Sequence, residues 1–252
     1  MKTLTIVRSV LIRYITNRLV INMSLPAPPS DPTVDPYPHP RPSRRKQARP
    51  GELLAAALDL FVEKGYAATR VEEVARRAGV SKGTLFLYFA SKEDLFKAVV
   101  RENISGRFPQ WSSELDAFPG TSAELLRYAM NAWWAHVGDT KASGISKLMM
   151  SEASNFPELA VFYNHEVIEP GNQLIRRILQ RGVQRGEFRP LDLQYGVHTV
   201  LAPMLYLLVW KHSFGACTAI DEPLVPRDYL AAQIDTLLNG LRVSPLPAVA
   251  TP

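Results

Sequence analysis

Apolar and polar positions alternate with a helical period over most of this chain, and no run of strand-like alternation interrupts them. Leu54, Ala57, Leu58, Phe61 and Val62 fall at i, i+3, i+4, i+7 and i+8. That spacing predicts one buried stripe on a helix over 51–64, with Gly65 in the position where helices end. Thr69-Arg70-Val71-Glu72 reads as a capping box for a second helix, along which Val71, Val74, Ala75 and Ala78 repeat the period. Gly79 supplies a turn, and Ser81 caps a third short helix through Phe89. Ser91 opens a fourth helix, to about Arg107.

Beyond Arg107 the reading stays helical. Thr121-Ser122-Ala123-Glu124 caps a helix to about Val137, and another covers 141–153. Pro157 suits the first turn of a third, which bends near Pro170-Gly171 and runs to Gln184. The turn RGEFRPLD precedes a helix over 191–213, and the last helix covers 226–240. VLAPMLYLLVW, residues 200–210, is apolar on all sides and should be covered on all sides. Eleven such residues are too few to span a bilayer, which takes about 20. Leu230, Ile234, Leu237, Leu238 and Leu241 form a single stripe on the final helix. The fold class is therefore all-α.

Charge separates the chain into parts. Residues 41–107 carry 14 Lys or Arg against 8 Asp or Glu, whereas residues 108–252 carry 11 against 14. A basic segment beside an acidic body suggests a polyanion partner for the first part alone. The 252-residue chain has one cysteine, Cys217, so it forms no internal disulfide and no Cys-rich zinc site. Residues 26–50 hold nine prolines and end in Arg41, Arg44, Arg45, Lys46 and Arg49. Such a stretch reads as an extended, disordered arm, either solubilising or tracking DNA phosphates. Residues 1–22 have arginines inside an apolar run. They read as an organellar presequence, as a membrane-surface helix, or as upstream sequence ahead of an initiating Met23.

Two short helices joined by a glycine turn make a helix-turn-helix, whose second helix enters the DNA major groove. Ser81, Lys82 and Thr84 then lie at its exposed front, Gly83 lets the backbone approach DNA, and Leu85 and Phe89 hold it to the core. Tyr88 and Lys92 reach phosphates. AALDLFVEKGYAATRVEEVARRAGVSKGTLFLYFASKEDLF, within residues 49–100, resembles the DNA-binding domain of TetR-family transcriptional regulators in order and spacing. The resemblance implies phosphate contacts at Thr69, Tyr88 and Lys92, and groove contacts at Ser81, Lys82, Gly83 and Thr84. Phe86 stands where many members have tyrosine, which replaces a hydroxyl with an apolar contact suited to a thymine methyl. Leu87 replaces a commonly polar residue.

The resemblance further implies an effector pocket for an apolar or amphipathic small molecule, and a homodimer built on the two C-terminal helices. Trp133, His136, Met149, Tyr163, His165 and Met204 are candidate pocket residues, with Trp134, His198 and Tyr206 behind them. Aromatic residues and methionines at helical spacing also suit plain core packing. The expected domains are an N-terminal extension (1–46), a DNA-binding domain (47–107), an effector and dimer domain (108–243) and a tail (244–252). No phosphate loop, nucleophile elbow or His-x-x-x-His pair occurs, so no enzyme, cofactor or metal is expected. His165-Glu166 reads as a surface pair. The reading is a dimeric repressor in the bacterial cytoplasm, at the nucleoid and away from membranes. It would bind a near-palindromic double-stranded operator and be released by a small molecule. An activator of the same fold, or a helical carrier or enzyme with a vestigial DNA module, are the other readings.

Overall fold

The computed structural model describes residues 49–215 and 224–241. The expectations for the N-terminal extension, its basic end, Cys217 and the tail lie outside these residues. Among the described residues there are helices and no β-strand.

The first four helices form the basic head. Helix α1 (Arg49–Ala68) is broken at Gly65, whose φ of 83° is the left-handed conformation that glycine adopts without strain. Its apolar stripe is deeper than five positions suggest, because Leu53, Ala56 and Leu60 are buried with Ala57 and Phe61. Helix α2 (Val71–Arg77) and helix α3 (Lys82–Phe86) are joined through Gly79, at φ 67°. Helix α4 (Lys92–Asn103) follows, capped by Ser91, which accepts from the Asp94 N–H at 3.0 Å. Phe61, Tyr66 and Phe96 pack ring against ring in the centre of this head.

Two local expectations are corrected. Thr69 is not the cap of α2: Arg70 holds that position, and no side chain caps it. The Thr69 hydroxyl turns inward instead, 2.7 Å from the Gly65 carbonyl and 3.1 Å from that of Leu60. Helix α3 also stops at Phe86 rather than Phe89, since Leu87 and Tyr88 form a turn.

A 3₁₀ turn (Ser105–Arg107) leads into the body. Its helices are α5 (Phe108–Ala117), α6 (Ser122–Trp133), α7 (Ser143–Glu152), α8 (Pro157–Tyr163), α9 (Glu169–Gln184), α10 (Leu193–Val209) and α11 (Pro226–Leu241). Thr121 and Glu124 form the expected capping box of α6. Three π turns, Trp134–Gly138, Asn164–Ile168 and Trp210–Phe214, extend α6, α8 and α10. The second precedes Pro170, so the chain passes from α8 to α9 through a widened turn where a bend was expected. Proline lacks the N–H that a regular turn would use there.

The body packs through α6, α9, α10 and α11 around Leu126, Ile178, Val200, Leu207 and Ile234. Helix α10 with its π turn, Leu193–Phe214, has 22 residues and mean hydropathy 1.2, a length and apolarity that would also suit a membrane span. It is covered on one face only. Val200, Met204, Leu207 and Leu208 are buried, while Tyr195 is 66% and Tyr206 47% exposed.

Head and body share an apolar cluster. Phe61, Phe96 and Ile104 of the head pack in one group with Ile145, Leu148 and Tyr163 of the body. The tightest approach is Gly144, where an added Cβ would stand 2.6 Å from Val62 Cγ1. Gly144→Ala should therefore lower stability by about 1–3 kcal/mol through overpacking. Urea unfolding of the variant, with the slope unchanged, measures that loss.

Candidate DNA interface and effector cavity

The local fold of the head brings one set of predicted residues to a common surface. Ser81 caps α3 by accepting from the Thr84 N–H at 3.1 Å, and its hydroxyl lies 2.9 Å from that of Thr84. Leu85 is fully buried and Phe89 partly so, which anchors the helix and turns its other side outward. Ser81, Lys82, Gly83, Phe86, Leu87 and Tyr88 are exposed, with Thr84 half-buried beside them. Lys82 Nζ is 2.6 Å from Glu72 Oε1 and 5.7 Å from the centre of the Phe86 ring. The pair to Glu72 is solvent-exposed and contributes little, so the ammonium is available to a stronger anion.

Thr69 and Lys92 occupy different surroundings from the phosphate contacts the family resemblance implied. Thr69 is 1% exposed, and its hydroxyl is engaged with backbone as described above. Lys92 Nζ donates to the carbonyls of Tyr66 at 2.9 Å, Thr69 at 3.1 Å and Ala67 at 3.3 Å. It also sits 4.4 Å from the centre of the Tyr66 ring. Burial holds the Lys92 ammonium below its ordinary pKa. Both side chains therefore close the end of α1 in this structure. Their positions were legible; their partners, 4 to 26 residues away, were not.

The body encloses a cavity of about 460 Å³, within the range of about 300–1,000 Å³ usual for small-molecule sites. Trp133, Met149, Tyr163 and Met204 line it, and so does His198. His136 and His165 do not: both are exposed, whereas Val137, Val167 and Ile168 of the same π turns line the cavity. Trp134 is packed in the body core, and Tyr206 lies on the exposed face of α10. Sequence reading missed Ile104, Phe108, Trp111 and Glu114, which bring the end of α4 and the start of α5 to the cavity wall. Among the buried wall residues, the Tyr163 hydroxyl donates to Ser146 Oγ at 2.9 Å, and burial raises its pKa to about 12.

Polar links run from the body to the head. Arg101 of α4 donates from Nη2 to Glu166 Oε1 at 2.7 Å, and its guanidinium lies 5.1 Å from the Phe162 ring centre. The guanidinium holds the Glu166 carboxyl below its usual range. Glu166 is thus an interdomain partner rather than the idle surface residue its neighbour His165 suggested. Lys141 reaches Asp59 of α1 at 2.6 Å.

A glycine-turned helix pair with an exposed reading edge, set on a helical body that encloses an apolar cavity, defines a ligand-responsive DNA-binding regulator. Comparisons with known proteins agree. "Bacterial regulatory proteins, tetR family" matches residues 53–99, and "Tetracyclin repressor-like, C-terminal domain" matches residues 120–218. The fatty acid metabolism regulator protein of Bacillus subtilis is 30% identical over 147 residues, covering 57% of this chain and 74% of that protein. The transcriptional repressor KstR2 of Mycolicibacterium smegmatis is also 30% identical, over 59% of this chain and 73% of its own length. The crystal structure of FadR from Bacillus subtilis in complex with stearoyl-CoA superposes with a TM-score of 0.63. It shares 22% identity and covers 75% of this chain and 98% of that one. The chain belongs to the TetR family of bacterial transcriptional regulators.

If Lys92 closes α1, Lys92→Ala should destabilise the head by about 1–2 kcal/mol, the scale of lost charge-assisted hydrogen bonds at a partly exposed site. Thermal unfolding without DNA checks this. A side chain serving only a phosphate would leave the transition unmoved.

Proposed function

We propose that this protein acts as a homodimer on a near-palindromic operator and leaves it when an apolar or amphipathic molecule enters the cavity. Ser81, Lys82, Gly83, Thr84, Phe86 and Tyr88 form the groove-facing edge of each head. The dimer forms through the uncovered face of α10 together with α11. In that arrangement two heads meet successive major grooves about 34 Å apart. The protein works in the bacterial cytoplasm, at the nucleoid. It is a binding protein, with regulation rather than catalysis as its task.

The observation that carries this reading is that the cavity wall includes parts that hold the head. Ile104 at the end of α4 and Tyr163 of α8 both line the cavity, and both belong to the cluster that packs around Phe61 and Phe96. Filling the cavity therefore shifts α4 relative to the body, and α4 carries the head. An effector that binds the released arrangement more tightly than the operator-bound one moves the population by that difference. The stearoyl-CoA held by the Bacillus subtilis regulator of like fold is consistent with a long apolar guest.

Phe86 is 41% exposed and Leu87 84%, an apolar pair at the reading edge where water is displaced only when DNA arrives. Thymine methyl groups are the apolar feature that the major groove offers them.

Mobility-shift titration of the protein with its own upstream DNA tests the assignment. Lys82→Ala should weaken binding about fivefold or more and reduce its salt dependence. Tyr88→Phe should weaken it less, and indifference to both would count against this edge. In the selected operator, exchanging thymine for uracil should lower affinity about three- to tenfold through the lost methyl contacts.

A further inference from the structure

Glu114 is the one carboxylate among the described residues that line the cavity, and no lysine or arginine faces it; the imidazole of His198 is the other titratable group on the wall. Its carboxylate is fixed at both oxygens, accepting from Gln110 Nε2 at 2.8 Å and from the Tyr128 hydroxyl at 3.0 Å. Phe108 and Trp111 stand at the same end with their rings edge to face, 5.5 Å apart. Tyr128 is 44% exposed, so this end meets solvent. Elsewhere the wall is dominated by Met, Leu, Ile, Val and Ala, and the Tyr163 hydroxyl is already committed to Ser146.

These features set a charge preference. An anionic group drawn inside would lose water without gaining a lysine or arginine, with His198 the one basic side chain on the wall, and would face the like charge of Glu114. A cationic group at the open end gains the Glu114 carboxylate beside the aromatic side chains of Trp111, Phe108 and Tyr128. We infer that the cavity selects elongated apolar molecules whose polar end is an organic cation, held at Glu114 by that aromatic surround. This rests on the effector role proposed for the cavity and narrows its ligand class. A fatty acyl anion, the guest suggested by the relatives' names, is the competing occupant.

Three probes of equal chain length separate the possibilities: n-dodecyltrimethylammonium, dodecanol and dodecanoate, each below its micelle-forming concentration. Binding to the full chain is read from the fluorescence of Trp111 and Trp133, and function from release of the operator fragment. The ammonium should bind about tenfold or more tighter than the carboxylate, with the alcohol between them. Glu114→Gln should remove the ammonium's advantage while leaving dodecanol affinity unchanged, which also shows that the variant is folded. Glu114→Lys should invert the order in favour of dodecanoate. The inference falls if dodecanoate binds the unaltered protein as tightly as the ammonium. It also falls if neither variant alters the ranking. If none of the probes binds, the effector role of the cavity falls with it, an outcome distinct from a reversed preference.

Discussion

The continuous apolar packing between head and body is the constraint on which the rest of this molecule depends. Val62 against Gly144, Tyr66 against Phe156 at 4.7 Å between ring centres, and Phe96 within the same cluster join head and body in one apolar core. Interiors packed this closely move as units, so a change at the cavity wall is transmitted as displacement of whole helices. The polar pairs Arg101–Glu166 and Lys141–Asp59 lie at the margin of this seam. They fix its register more than they add to its strength.

Much of this was readable from the amino-acid order. The helices fall close to the spans their periodicity predicts, and Ser81, Ser91 and Thr121 cap where short polar residues precede an apolar run. Local chemistry determines those features, so local sequence records them. The errors share one cause. Thr69 resembles a cap by spacing, yet its hydroxyl is taken by carbonyls that the break at Gly65 folds back over it. His136 and His165 stand on the exposed side of their turns, and Val137 and Val167 from the same turns line the cavity. Glu166 resembled an idle surface acid because its partner Arg101 is 65 residues away. Facts of this kind depend on tertiary packing, which no window of sequence contains.

Helix α10 links the two roles of the body. Its buried side completes the core, Met204 reaches the cavity, and its outer side leaves Tyr195, Leu205 and Tyr206 in water. Sequence alone suggested a helix covered all round, and a single chain covers half of it. The end of the same helix is tied back to the body, with His212 Nε2 2.7 Å from Ser143 Oγ and Lys211 Nζ donating to the Gly138 carbonyl at 2.8 Å. An object seated beside Met204 thus touches a helix secured at its far end and uncovered along its length.

The ammonium of Lys92 has a further consequence. Three backbone oxygens at the end of α1 share it, and it is the kind of group that a nucleic-acid phosphate attracts. A phosphate that captured it would strand those oxygens and loosen the tip of α1. A contact from this side chain to the operator would therefore come at the expense of the cohesion of the reading head.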